Sequence, residues 1–361
     1  MTFDEHRPLL ITGGAGFIGT NVADRLLAAG QPVVIYDNLG RDGARDNLRW
    51  LARRHGPRME VLVADVRDAA ALRGAVERCC RVFHFAGQVA VSSSLADPAQ
   101  DFAVNAGGTL NLLEVIRDSE AQPPLLYAST NTVYGPLDDL RLVEQDARYE
   151  PLDAGMRDRG IGEERALDFH SPYGCSKGAA DQYVLDYARV YGLKTAVFRL
   201  SCIYGPHQRG NEDQGWVAHF ALRALADEPI TIYGDGKQVR DALWVDDLVE
   251  ALLIAQARIG SLAGRAFNIG GGPAHTLSPL ELLAMIERLE GCSPDVRFAQ
   301  WRPADQRYYV SNIDAFARAT GWRPRVGVQE GVRRLLAALR SESTAERALE
   351  PAPVFAEAYA D

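Results

Sequence analysis

Lysine is almost missing from this chain: only Lys177, Lys194 and Lys237 stand among its 39 basic residues. Positive charge of any kind is in deficit, with a net charge of −9 and a pI near 5.4. That balance argues against nucleic acid or an anionic membrane surface as the main partner. An anionic ligand therefore has to be held by local arginine clusters. Cysteine is scarce as well. Cys79, Cys80, Cys175, Cys202 and Cys292 are odd in number and lack metal-ligand spacing. The expectation is reduced structural thiols in a cytoplasmic protein with no metal centre. No apolar run approaches the ~18 residues that a membrane helix needs, and the N-terminus has no signal-peptide layout. Internal repeats are absent. What remains is a 361-residue chain with 47 % hydrophobic content, enough for one large core and a smaller appended domain.

Against that background the short apolar runs stand out. Pro8 to Thr12 reads as a buried parallel strand, and it feeds Gly13-Gly14-Ala15-Gly16-Phe17-Ile18-Gly19. Helical spacing then runs from Thr20 to Ala29, where Gly30 stops it. Strand, glycine turn and helix in this order form a dinucleotide fingerprint. Gly13 permits the turn, Gly16 lets backbone approach a pyrophosphate, and Gly19 allows close helix packing. The second strand, Pro32 to Tyr36, ends at Asp37, a carboxylate placed to accept ribose hydroxyls and repel a 2′-phosphate, so NAD is expected over NADP. Arg41 and Arg45 lie nearby and weigh the other way.

Further strands are expected at Arg58 to Val63, Val82 to Phe85, Leu125 to Ala128 and Lys194 to Leu200. They end at Asp65-Val66, Ala86-Gly87-Gln88 and Ser129-Thr130, on the sheet edge where such folds bind ligands. Each of these is a ligand contact or a plain strand-end turn. Asn105, within a helical stretch from Pro98 to Arg117, either ties neighbouring backbone together or reaches the cofactor. Residues 136–170 are charged and rich in turn formers, and a loop this long inside a compact domain points to a functional wall.

Ser171-Pro172-Tyr173-Gly174-Cys175-Ser176-Lys177 places a phenol and an ammonium one helical turn apart, with Ser171 as N-cap and Pro172 first in the helix. In a chain that uses arginine almost everywhere, this lysine looks chosen for its compact charge. Lowering the Tyr173 pKa by ~3 units takes ~4 kcal/mol, which Lys177 and a positively charged nicotinamide together supply. Thr130 either shares a proton with Tyr173 or caps the turn that follows it. Beyond residue 204 the alternation loosens. Arg240 and Arg302 offer forked contacts to a diphosphate, or are surface ion pairs.

Together these residues resemble the extended short-chain dehydrogenase/reductase superfamily of nucleotide-sugar enzymes, across roughly residues 8–340. The resemblance implies an α/β fold, a doubly wound parallel Rossmann sheet with a smaller, mostly C-terminal α/β substrate domain. It implies a cofactor domain over 1–204, with 136–170 as a substrate-side insertion and 243–270 returning to the sheet. Residues 205–340 would mainly bind the sugar nucleotide, and 341–361 would be a loosely held tail. Thr130, Tyr173 and Lys177 become the catalytic trio. Gly13, Gly16, Phe17, Ile18, Asp37, Asn38, Asp65, Val66, Ala86, Gln88 and Asn105 join Tyr173 and Lys177 at NAD. Gln88, Thr130, Asn131, Arg240 and Arg302 face the substrate.

Longer runs narrow the resemblance. Ala86-Gly87-Gln88-Val89, Ser129-Thr130-Asn131, the stretch from Phe169 to Tyr183, Asp213-Gln214-Gly215-Trp216 and Gly234 to Asp241 are similar to the CDP-paratose 2-epimerase (CDP-tyvelose epimerase) subfamily. Sugar 4,6-dehydratases of the superfamily carry an Asp-Glu pair after the Thr, where this chain has Asn131-Thr132. Other relatives often place Asn at the position of Cys202. The resemblance thus implies an NAD-dependent isomerase acting on a CDP-deoxysugar at sugar carbon 2, with a UDP-sugar 4-epimerase as the nearest alternative and a silent NAD-sensing module as a remote one. The helices carrying Asn105 and Tyr183 imply a homo-oligomer.

Overall fold

Apolar runs of four to six residues, each closed by a turn, are too short for stable helices and pair as strands. The computed structural model describes residues 7–346 except 292 and 303–304. Its main sheet uses β1 (Leu9–Thr12), β2 (Val33–Asp37), β3 (Met59–Val63), β4 (Arg81–His84) and β5 (Leu125–Thr130). A small antiparallel hairpin follows, β6 (Leu142–Glu144) with β7 (Tyr149–Pro151). The chain continues through β8 (Thr195–Leu200), β9 (Cys202–Tyr204), β10 (Ile230–Tyr233), β11 (Val239–Trp244) and β12 (Ala266–Ile269). The last strands are β13 (Thr276–Leu277), β14 (Val296–Ala299) and β15 (Tyr308–Tyr309).

Seven parallel strands lie in the order β12-β8-β5-β4-β1-β2-β3. Side chains alternate across the sheet, as period-2 geometry requires: Leu9, Ile11, Val33 and Ile35 enter one apolar layer, and Leu10, Val34 and Tyr36 the other. Each fully buried Leu, Ile or Val contributes about 1.5–3 kcal/mol. The strand order reverses between β1 and β4, which opens a crevice at their carboxyl ends.

A second lobe forms around β9, β11, β13 and β15, with β10 and β14 paired beside it. The chain recrosses more often than the sequence indicated. Besides helix Val245–Ala257 and β12, within the 243–270 return, Phe316 and Trp322 also lie on the main sheet, far later in the chain. The Phe316 ring meets Phe198 and Phe267 edge-on, at centroid separations of 5.2 and 5.4 Å, and Trp322 packs on Phe316 at 5.6 Å.

Three local expectations change. The fingerprint helix starts at Phe17 rather than Thr20 and runs to Ala28, because the glycine turn leads straight into it. The stretch from Pro98 to Arg117 is broken by a π-turn at Ala103–Gly107, a widening that helices favour at functional sites. The final helix, Val328–Glu346, runs through the first part of the expected tail; residues 347–361 lie outside the described residues. Cys79, Cys80, Cys175 and Cys202 are thiols without a disulfide, and Cys292 lies outside the described residues. Among the described residues no helix is long and apolar enough to cross a membrane.

Candidate active site

The glycine turn is forced by crowding. A Cβ on Gly13, whose φ is +67°, would stand 2.6 Å from the Ala86 nitrogen, and one on Gly19 would stand 2.3 Å from the Gly13 carbonyl oxygen. The turn therefore lies directly on the end of β4. Helix Phe17–Ala28 opens beside Gly16, so the first-turn N–H groups of Phe17 and Ile18 have no intrahelical acceptor and face the crevice, a ready anion site. Asp37 braces this turn. One of its carboxylate oxygens accepts from Ala15 N–H at 3.0 Å and the other from Leu39 N–H at 2.8 Å. Burial pushes the Asp37 carboxyl upward, and these donors pull it back.

Asn38 donates to Asp65 at 3.0 Å, and Arg67 grips the same carboxylate through Nε at 2.8 Å and Nη2 at 3.0 Å. Chiefly through those Arg67 bonds the Asp65 carboxyl is held down at about 2. Val66 is buried beneath, and a Cβ on Gly108 would meet its Cγ2 at 2.5 Å. A cradle with these glycines, first-turn donors and strand-end acids fits a dinucleotide.

At the β4 end, Gln88 folds onto its own loop. Its Nε2 donates to the Ala90 carbonyl at 2.7 Å, and its Oε1 accepts from Ala90 N–H. Asn105 sits in the π-turn with 1 % exposure. Its Oδ1 accepts from Gln88 N–H at 2.9 Å, while its Nδ2 reaches the Gln88 carbonyl at 3.1 Å, Ser176 Oγ at 3.0 Å and Asp101 Oδ1 at 3.2 Å. Of its two expected roles, tying backbone together is the one these bonds display.

Helix Ser171–Tyr191 buries Tyr173, Ser176, Lys177, Asp181 and Val184 along one face. Its entry differs from expectation: Ser171 is itself the first helical residue, at φ +63°, yet its Oγ still accepts from Gly174 N–H at 3.2 Å. The Thr130 hydroxyl acts on the buried Tyr173 phenol and favours its ionised form. Thr130 caps the turn Asn131–Tyr134, accepting from Thr132 N–H at 3.2 Å, so of its two expected roles capping is the one its hydrogen bonds display.

Lys177 Nζ donates to the Ala128 carbonyl at 2.5 Å and lies 4.3 Å from the Tyr127 ring centroid. Burial pulls this ammonium down to about 7. The expected lowering of Tyr173 by Lys177 is not what the chain alone provides. Burial dominates and raises the phenol, the Thr130 hydroxyl pulls it back, Asp101 raises it further, and the cation that lowers it is Arg41.

On the substrate side, Asn131 donates to Gln306 Oε1 at 3.1 Å, and Gln306 Nε2 donates to the Gly135 carbonyl at 2.6 Å. Arg240 pairs with Asp305 at 2.8 Å, and Arg302 with Asp213 at 3.2 Å. Asp305 N–H also bonds the Arg302 carbonyl at 3.3 Å. Two arginines 62 positions apart in sequence thus flank one turn, next to the residue that holds Asn131. Pro303 and Ala304 lie outside the described residues. Arg302 also stacks 3.8 Å above the Tyr233 ring.

Sequence reasoning missed Asp181, Arg199, Asp101, Ser176 and Gln306. Asp181 and Arg199 form a forked pair with both contacts at 3.0 Å, and Ser129 Oγ donates to Asp181 at 2.8 Å. Arg199 continues to Tyr134 at 3.1 Å, and Tyr134 to Asn268 at 2.8 Å. The signal for Asp181 was present, since Tyr173, Lys177 and Asp181 recur every four residues. For Gln306 there was none. Among the described residues no His, Cys, Asp and Glu cluster suits a metal ion.

Known proteins resemble the chain over most of its length. The chain is 43 % identical over 336 residues to the CDP-paratose 2-epimerase of Salmonella typhi, covering 91 % of this chain and 97 % of that one. It is 31 % identical to the UDP-glucose 4-epimerase of Mycolicibacterium smegmatis, with 92 % and 99 % covered. The crystal structure of Thermus thermophilus UDP-glucose 4-epimerase in complex with NAD superimposes with a TM-score of 0.76 at 34 % identity, covering 92 % of this chain and 99 % of that one. The Streptomyces venezuelae dTDP-glucose 4,6-dehydratase, solved with NAD, gives 0.78 at 28 % identity, covering 94 % and 98 %. With residues 9–270 matching its profile, the chain belongs to the NAD dependent epimerase/dehydratase family.

Proposed function

We propose that this protein is an NAD-dependent isomerase that epimerises a CDP-deoxysugar, of the CDP-paratose to CDP-tyvelose type, at sugar carbon 2. The observation that carries the reading is the buried Tyr173–Lys177 face of one helix, with Lys177 donating to the Ala128 carbonyl at the strand end that carries Thr130, at the sheet edge where the glycine turn opens. The likeness to the Salmonella typhi enzyme supplies the substrate class and the carbon. Bound NAD supplies a reversible hydride acceptor. Tyr173 takes the sugar hydroxyl proton, Thr130 holds that proton in line, and Lys177 provides fixed positive charge. The resulting ketose turns its other face to the site, and Tyr173 returns the proton after inversion. Asn131 fits this scheme, since an amide lacks the acid–base capacity that water elimination needs. Gly13, Gly16, Phe17 and Ile18 hold the pyrophosphate, Asp37 and Asn38 the ribose, and Asp65 and Val66 the adenine rim. Ala86, Gln88 and Asn105 shape the nicotinamide end. Arg240 and Arg302 hold the substrate diphosphate by exchanging their present carboxylates for it.

The protein acts in the cytoplasm as a homo-oligomer. Exposed Leu95, Phe102, Tyr183 and Tyr191 support pairing through their helices. The test is turnover of CDP-paratose in heavy water. The product should carry no deuterium at the inverted carbon, Tyr173→Phe should lose at least ~100-fold in kcat, and label at that carbon refutes the mechanism. The 4-epimerase structures favour one second reading, UDP-sugar 4-epimerisation, which a panel of CDP- and UDP-sugars separates.

A further inference from the structure

The charges packed round Lys177 form a closed set. Asp181, one turn along the same helix, is the larger carboxylate influence on Lys177, but it is shared, since Arg199 grips it with both prongs. His84, from β4, lies between Thr12 Oγ1 at 2.6 Å and Thr109 Oγ1 at 3.0 Å. Burial pulls its imidazole to about 3, so it is neutral. Tyr127 contributes its ring from β5, and Tyr173 is the neighbour on the same helix. The remaining group is Asp101, from helix Pro98–Phe102.

Asp101 is 1 % exposed. Its Oδ2 accepts from Ser176 Oγ, and its Oδ1 accepts from Asn105 Nδ2 at 3.2 Å. Ser176 immediately precedes Lys177 and is itself 2 % exposed. Among the described residues no arginine or histidine forms an ion pair with Asp101. A carboxylate buried without a compensating cation is strongly destabilising. The cation beside it is Lys177: a Cβ on Gly87 would stand 2.9 Å from Asn105 Oδ1 and 3.8 Å from Lys177 Nζ, so the ammonium lies next to the amide that holds Asp101, and each charge favours the ionised form of the other.

We propose that Asp101 is the unshared counter-charge that, alongside Asp181, keeps Lys177 an ammonium ion, held in place by Ser176 and Asn105 and acting as a positioning residue for the epimerase chemistry. The inference rests on the proposed role of Lys177. The π-turn gives it a structural rationale, because the widened turn aims Asn105 Nδ2 back at Asp101, four residues earlier, and at the catalytic helix together.

The direct test needs no substrate. In protein labelled with ¹³C and ¹⁵N, the Lys177 side chain is titrated by NMR in the wild type and in Asp101→Asn. Removing the carboxylate disfavours the cation, so the midpoint should fall by about one pH unit, roughly tenfold less ammonium at a given pH above it. An unmoved midpoint overturns the proposal. Should Asp101→Asn not fold, Lys177→Met reads the same coupling from the other side. The Asp101 carboxyl midpoint should then rise, and no rise overturns the proposal.

Turnover supplies the second arm. The alkaline limb of the kcat profile should move toward lower pH in Asp101→Asn, with KM within twofold, and Asp101→Glu should restore most of it. A uniform loss of kcat at every pH indicates a merely structural residue and overturns the positioning role. A wild type silent on every CDP- and UDP-sugar, with the NMR midpoint still moved, overturns the proposed function and leaves the charge pairing supported.

Discussion

Replacing Asp181 with asparagine should destabilise the protein by about 3–5 kcal/mol, the cost of breaking a buried pair from one side. The two side chains are 0 % and 4 % exposed, so neither charge is solvated on its far side. At an effective dielectric of 20, unit charges about 4 Å apart attract by roughly 4 kcal/mol, and desolvation of both partners consumes most of that gain. The intact pair is thus nearly neutral for stability, whereas the broken one is not. Arg199 cannot shed its proton, and in the variant it keeps its desolvation penalty with Tyr134 as its remaining strong partner. Asparagine matches aspartate in shape, so no cavity confuses the result. Urea unfolding of both proteins, compared at equal m-values, measures the difference. The double variant Asp181→Leu, Arg199→Met should recover to within ~1.5 kcal/mol of wild type, because an apolar pair carries no such penalty. A loss below 1 kcal/mol in the single variant, with ~1 kcal/mol being typical of an exposed pair, would refute the claim that this site is dry.

Two glycines should respond with opposite signs. In Gly19→Ala the new methyl meets rigid backbone at Gly13 and Gly14, so NAD affinity should fall at least tenfold and stability by about 1–3 kcal/mol, measured by fluorescence titration and calorimetry. Gly74→Ala meets nothing within 4 Å in the exposed middle of helix Ala69–Val76, and should stabilise by about 0.5–1 kcal/mol. Acid titration tests the Asp65 carboxylate. Its folded value of about 2 lies below the ordinary 3.8, so its stabilisation is present above pH ~4 and lost as pH falls through 2. Exposure of Arg67 limits that contribution to about 1 kcal/mol; Arg67→Ala should raise the Asp65 carboxyl toward its ordinary value, read by ¹³C NMR.

The central sheet was legible because every strand is a short apolar run with small or polar residues at its carboxyl end, a local signal. The Tyr173–Lys177 spacing was legible for the same reason, since a helix fixes which residues share a face. The partners of those residues were not. Asp101 looks like any helix acid until Ser176 arrives from 75 residues away, and Arg240 and Arg302 gave no hint that Asp305 and Asp213 already hold them. The π-turn has no periodic signature either, because a single widened turn disturbs helical spacing by less than one residue. The recrossing of Phe316 and Trp322 escaped notice because aromatic packing between distant segments leaves no mark on either one.

That recrossing bears on how relatives can be recombined. A chimaera cut after Tyr204 would leave β8 without its own outer neighbour β12 and strip Phe198 of the native rings of Phe267 and Phe316, the latter backed by Trp322. Sugar specificity therefore cannot be transplanted as a single C-terminal cassette. A viable graft has to keep residues 245–269 and 313–322 with the cofactor half and exchange only the segments threaded between them.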